Sequence, residues 1–187
     1  SFLSEELKKE LDIRTVYLNI VINNHSYKEI IDMTADKYYE YLRDTNNSFP
    51  TTSQPAIGEV VACLEKLKEE GYTDVISGIS GACSSYTVAG LMVDGINVHP
   101  FDSEVSCKPE GWYAIKAANL IKEGKNSNQI ISALNEMKKV SKAYFMADDL
   151  SHLQRGGRLS GAQALVGSLL QVKPLLHFED KIIVPFQ

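Results

Sequence analysis

What the sequence lacks narrows its reading first. It has three cysteines in 187 residues: Cys63, Cys83 and Cys107. They are odd in number, far apart and never paired as CxxC, so no disulfide framework is expected and the usage fits a reducing cytoplasm. The four histidines, His25, His99, His152 and His177, have no partner at ligand spacing, and no metal site is expected. No Lys/Arg cluster stands out and the net charge is −5. That argues against nucleic acid as the main partner, because neutralising phosphates takes a basic face. No apolar run is long enough to span a membrane, and no signal peptide is visible. There is no P-loop and no GxGxxG, so no nucleotide fingerprint is present and no cofactor is expected.

What remains is an ordinary globular composition, 44% hydrophobic and 23% charged. The length suits one good α/β domain, or one domain and part of another. Ser4 is placed to cap a short helix with Glu5 and Glu6 in its first turn. Val16, Leu18, Ile20 and Ile22 alternate with Tyr17, Asn19, Val21 and Asn23 and predict a strand, closed by a turn at Asn23 to Ser26. Thr34 is placed to cap a helix carrying Tyr38, Tyr39 and Leu42. A helix from Ile57 to Leu67, a strand from Asp74 to Ile76 and a strand from Val98 to Phe101 follow. Pro109 opens a helix with Trp112 on its expected inner face, ended by Gly124, and Ser127 is placed to cap the next. Ala143 to Met146 reads as a strand. Strands alternating with helices predict an α/β fold with a mostly parallel sheet covered by helices on both faces.

The tail reads differently. Arg155-Gly156-Gly157-Arg158 is a turn, a small-residue helix runs from Ser160 through Leu170, and Val172–Phe178 with Lys181–Val184 forms a hairpin across Glu179-Asp180. The expected division is an α/β domain over 1–150 and the start of a second, smaller α/β domain over 151–187.

Two stretches carry the chemistry. Thr51-Thr52-Ser53-Gln54-Pro55 crowds three hydroxyls and an amide just before a helix. Ser53 suits an N-cap, and hydroxyls beside a helix N-terminus suit a carboxylate or phosphate. Ser77-Gly78-Ile79-Ser80-Gly81 is again small and hydroxyl-rich, between a strand and a helix, where open α/β sheets bind ligands. Thr52 and Ser80, each at the carboxyl end of a parallel strand, would then face one crevice.

These stretches, with Gly58-Glu59, Asp102-Ser103, Gly156-Gly157-Arg158, Gln163-Ala164-Leu165 and Lys173-Pro174, resemble the DegV family in order and context, over essentially the whole chain. Ala82-Cys83 departs from the family pattern, which usually has Thr-Tyr there. The resemblance implies a lipid-binding protein, not an enzyme: two α/β domains with a long-chain fatty acid between them as ligand. It implies that Thr52, Ser53, Ser80 and Gly81 bind the fatty acid carboxylate and that Arg158 lies near the head group. It also implies an ATP-dependent kinase subunit as partner, an acyl-phosphate carried to phospholipid synthesis, and an acyltransferase at the membrane surface as a further partner. The family's remaining C-terminal portion is not in the sequence. A buried alkyl chain gains ~0.8 kcal/mol per CH₂, so an apolar tunnel supplies affinity and hydroxyl donors supply orientation.

Two readings compete with this one. A serine hydrolase would use Ser80 with Asp102 and His152, but Gly78-Ile79-Ser80-Gly81-Ala82 lacks the final glycine of a nucleophile elbow. A phosphate binder would use Gly156-Gly157-Arg158, which reads equally as a tight surface turn.

Overall fold

The computed structural model describes residues 3–44, 46–78, 83–147, 150–158, 173–180 and 182–186. Two compact units are present: Arg14–Ser77 with Ala82–Pro100, and Ser1–Ile13 with Gly78–Gly81 and Phe101–Gln187.

The first of these units opens on a hairpin. Strands β1 (Asn19–Ile22) and β2 (His25–Lys28) pair antiparallel, with Ile22 opposite His25. Asn23 and Asn24 form the two-residue link at φ 49° and 64°. Two successive left-handed residues match the twist of the strands they join, and asparagine tolerates that conformation better than most side chains. Helix α2 (Ala35–Arg43) is capped by Thr34 as expected, and strand β3 (Thr51–Ser53) then returns to pair antiparallel with β1. Ile20 and Ile22 supply the buried side of β1. Helix α3 (Ile57–Glu69) buries Val60, Leu64 and Leu67, the residues its helical period selects.

Strand β4 (Asp74–Gly78), helix α4 (Cys83–Leu91) and strand β5 (Asn97–Phe101) come next in the chain, and β4 neighbours β5 in a two-stranded sheet. Helix α4 lies close against β5. A Cβ at Gly90 would come within 2.8 Å of Val98 Cβ, so only glycine permits that approach.

The second unit holds α1 (Glu5–Glu10), α5 (Cys107–Lys122), α6 (Ser127–Val140), β6 (Tyr144–Met146), α7 (Leu150–Arg155), β7 (Leu175–Glu179) and β8 (Ile182–Pro185). Helices α5 and α6 pack together. Ile130 and Leu134 on α6 are 2% and 1% exposed. Burying side chains of this size contributes about 1.5–3 kcal/mol each. On α5 the buried face is Gly111, Tyr113, Ala117, Ala118 and Leu120. Trp112, expected inside, is 51% exposed. One residue along a helix turns the side chain by about 100°, and Tyr113 takes the inner place instead. Strands β6, β7 and β8 form an antiparallel sheet, and Leu176 and Ile183 centre a small core with Phe145, Leu150, Leu153 and Phe178. The hairpin across Glu179-Asp180 forms as expected. This sheet joins strands on either side of residue 150, where the sequence reading puts a boundary.

The α/β class holds; where the sequence reading expects a mostly parallel sheet, the pairings β1–β2, β1–β3, β6–β7 and β7–β8 among the described residues are antiparallel. The physical reason is local. Two-residue links force neighbouring strands to run in opposite directions, and βα alternation in a sequence does not say which strand a returning segment will join.

Helix ends account for several turns. Asp12, Gly71, Gly124 and Gly157 have φ of 54°, 95°, 77° and 68°. In each case the next N–H reaches back five residues: Ile13 to the Lys8 carbonyl at 2.8 Å, Tyr72 to Leu67 at 3.0 Å, Lys125 to Leu120 at 3.0 Å and Arg158 to Leu153 at 2.9 Å. This is the Schellman closure, which satisfies the last carbonyls of a helix. The expected turn at Arg155–Arg158 is one of these. Helix α6 is capped by Asn126 in a capping box with Gln129 rather than by Ser127, which becomes its first helical residue.

Candidate functional site

Thr51, Thr52 and Ser53 are exposed residues of β3, with Thr52 opposite Ile20 of β1. Thr52 is therefore in the middle of an antiparallel strand, not at the carboxyl end of a parallel one. Ser53 does not cap α3. Its N-cap is Ala56, with no side-chain capping bond, because buried Pro55 separates the strand from the helix and delays its first turn. The Ser53 hydroxyl is thereby not spent on capping α3.

The residue that fixes this stretch is Gln54. Its carbonyl accepts a hydrogen bond from Asn19 Nδ2 of β1 at 3.3 Å. Its side-chain Oε1 accepts from the hydroxyl of Ser85, the third residue of α4. The hydroxyl-bearing strand is thus joined on one side to the hairpin and on the other to the first turn of the helix that follows β4. Glu59, in the first turn of α3, forms an ion pair with Lys28 of β2 at 2.8 Å. The other Glu59 oxygen, Oε2, is buried without a partner among the described residues.

Strand β4 ends at Gly78, and α4 begins at Cys83. Ser80 and Gly81 lie outside the described residues. At the opposite end of β4, His99 Nε2 donates to Asp74 Oδ1 at 2.8 Å. That bond, with one from the Thr73 hydroxyl, holds the Asp74 carboxyl below its ordinary value. Four residues of strand, roughly 13 Å, separate this pair from Gly78, so it belongs to the far edge of the sheet.

The turn after β5 is tightly held. Asp102 Oδ1 accepts from the Glu104 N–H at 2.9 Å, and the Ser103 hydroxyl, 1% exposed, donates to the Val105 carbonyl at 3.2 Å. Lys138 of α6 donates to the Asp102 carbonyl at 3.2 Å and to Glu104 Oε1 at 3.1 Å, and lies 5.7 Å from the centre of the Phe101 ring. Glu104 and Cys107 take φ of 58° and 64°. Cys107 is exposed, whereas Cys63 is half-buried and its burial pushes the thiol up.

Arg158 is exposed just past α7, and its guanidinium Nη1 donates to the Gly156 carbonyl at 3.3 Å. The side chain of His152 lies outside the described residues. Among the described residues no group of three or more His, Cys, Asp and Glu side chains could hold a metal ion, and no helix is long and apolar enough to cross a membrane.

Reading residue types found the hydroxyls but not their supports. Asn19, Ser85 and Lys138 carry no motif signal of their own. Gln54 belongs to the hydroxyl-rich stretch before α3, but nothing in its spacing points to Ser85.

A family model described as "Uncharacterised protein, DegV family" matches residues 1–187. The chain is 51% identical over 193 residues to protein DegV of Bacillus subtilis (strain 168), covering 100% of this chain and 68% of the relative. A crystal structure of the Bacillus subtilis DegV, described as a fatty acid binding protein, matches with a TM-score of 0.86 at 51% identity, over 99% of this chain and 67% of that one. A Thermus thermophilus DegV family protein, whose structure is described as one of fatty acid binding, matches with a TM-score of 0.89 at 27% identity, over 99% and 67%. With a match along its full length and half its residues identical to the Bacillus subtilis protein, the chain belongs to the DegV family.

Proposed function

We propose that this protein binds a long-chain fatty acid and presents its carboxylate to an ATP-dependent kinase subunit. The observation that carries this reading is the 51% identity, along the full chain, to a protein described as fatty acid binding. In this reading the hydroxyls of Thr52, Ser53 and Ser80 and the backbone N–H of Gly81 donate hydrogen bonds to the carboxylate, Ser80 and Gly81 coming from the link between β4 and α4. Their placement is supported by Gln54, which ties the Thr52–Ser53 strand to the start of α4. Neutral donors orient a carboxylate without a permanent ion pair, so its oxygens stay reactive towards a phosphoryl donor. Arg158 braces the charge that builds on the acyl-phosphate as it forms. The product is then carried within the cytoplasm to an acyltransferase of phospholipid synthesis at the membrane surface. The protein itself breaks no bond in this scheme.

Native mass spectrometry of the purified protein tests the binding step, and a co-purifying fatty acid mass is the expected result. The transfer step is tested by acyl-phosphate formation with and without a partner kinase, in wild type, Ser80→Ala and Arg158→Ala. Loss of one hydrogen bond to a charged acceptor, roughly 1.5–3 kcal/mol, is expected to weaken binding in Ser80→Ala. Arg158→Ala is expected to lose more transfer than binding. Ester cleavage without kinase or ATP that disappears in Ser80→Ala overturns the carrier reading in favour of a hydrolase.

A further inference from the structure

We infer that Gln54 is a positioning residue that sets the carboxylate specificity of the Thr52–Ser53 strand through Ser85. The inference rests on the fatty acid reading above and adds to it the element that discriminates a carboxylate from an uncharged head group. Gln54 is joined directly to Ser53 and lies two residues from Thr52. Its main chain is held by Asn19 and its side chain by Ser85, so both ends of the residue are fixed by different elements.

The choice of an amide at this position has chemical content. The side chain must span from the end of β3 to α4 and present an acceptor to a serine hydroxyl. Glutamate has the same reach and accepts the same bond more strongly. It would also place a negative charge on the residue next to Ser53, and because Gln54 is exposed, water screens only part of its repulsion of a bound carboxylate. Glutamine gives the reach and the acceptor without the charge. Leucine gives neither acceptor nor charge, so it removes the bridge alone. The two replacements thus separate position from electrostatics.

The test measures the affinity of full-length wild type, Gln54→Glu, Gln54→Leu, Ser85→Ala and the Gln54→Leu/Ser85→Ala pair for palmitate and for 1-hexadecanol at neutral pH, with thermal unfolding recorded alongside. Gln54→Glu is expected to bind hexadecanol as wild type does, and palmitate about tenfold more weakly, the size of one unfavourable charge contact in a partly screened site. Gln54→Leu and Ser85→Ala are each expected to weaken palmitate by about tenfold, and the pair no more than either alone, because both remove the same bond. If Gln54→Leu fails to fold, the palmitate-to-hexadecanol ratio of the near-isosteric Gln54→Glu decides. Equal effects of Gln54→Glu on the two lipids, or additive losses in the pair, overturn the role of Gln54. Wild-type protein that binds neither lipid overturns the fatty acid reading itself, and the inference with it.

Discussion

Lys138 Nζ sits 3.1 Å from Glu104 Oε1 and 3.2 Å from the Asp102 carbonyl, so one side chain of α6 clasps both ends of the turn that follows β5. Glu104 is held there in a left-handed conformation, φ 58°, which a non-glycine residue adopts at some cost. Lys138→Met keeps an unbranched side chain of similar length and removes the donors, along with the ammonium over the Phe101 ring. Because the ion pair is partly exposed, the expected loss is about 1 kcal/mol, read as a lower urea midpoint with unchanged slope. The thiol of nearby Cys107 is expected to react faster with a thiol reagent in the variant. An unchanged midpoint and an unchanged labelling rate would show that the turn holds itself.

Gly90 makes a second prediction, in which two effects of opposite sign compete. Alanine is the better helix former by about 1 kcal/mol. Its Cβ, however, would meet Val98 Cβ at 2.8 Å, a contact with the rigid root of a β-branched side chain rather than a flexible tip. Overpacking of that kind costs about 1–3 kcal/mol, so Gly90→Ala is expected to be net destabilising. Adding Val98→Ala should relieve the clash and recover part of the loss. Calorimetric melting of the single and double variants checks both signs.

The Asp74–His99 bond predicts a pH dependence. The folded state lowers the Asp74 carboxyl below its ordinary 3.8, first through the bond from His99 and then through Thr73. A depressed folded value stabilises the protein above 3.8, and this contribution is lost as pH falls through the folded value. Wild type is therefore expected to melt slightly above Asp74→Asn at neutral pH, and the gap is expected to close as pH drops below 3.8. The effect is small, since the carboxyl is well exposed and water screens it. A gap that widens in acid would reverse the sign of the argument.

Local chemistry was legible in the sequence at several single positions, though not at Ser53, which does not cap α3. Ser4 and Thr34 cap α1 and α2, and the glycine at 124 takes the left-handed position that ends α5. Where two neighbours compete for one role, sequence reading picked the wrong one: Ser127 for Asn126, and Trp112 for Tyr113. Both errors are one residue wide, because a cap or an inner face is chosen by where the helix starts and how it rotates against its neighbours. Strand partners were the least legible. The alternation around Ile20 predicts a strand, but pairing with Thr52 is decided by packing more than thirty residues away in sequence. For the same reason the hydroxyls of Thr52 and Ser53 were visible as candidates, while the Gln54–Ser85 bond that places them was not.

The exposed position of Trp112 has a practical consequence for spectroscopy. It is the only tryptophan of the chain, and it lies on α5, in the unit that includes Phe101–Gln187. Its emission reports the solvent at that helix surface, whereas the unit of the Thr52–Gln54 strand contains tyrosines such as Tyr41 and Tyr86 but no indole. Excitation selective for tryptophan therefore follows one unit, and the far-ultraviolet signal follows both. Denaturation curves that coincide in the two signals identify cooperative unfolding of the whole chain, and curves that separate give each unit its own midpoint.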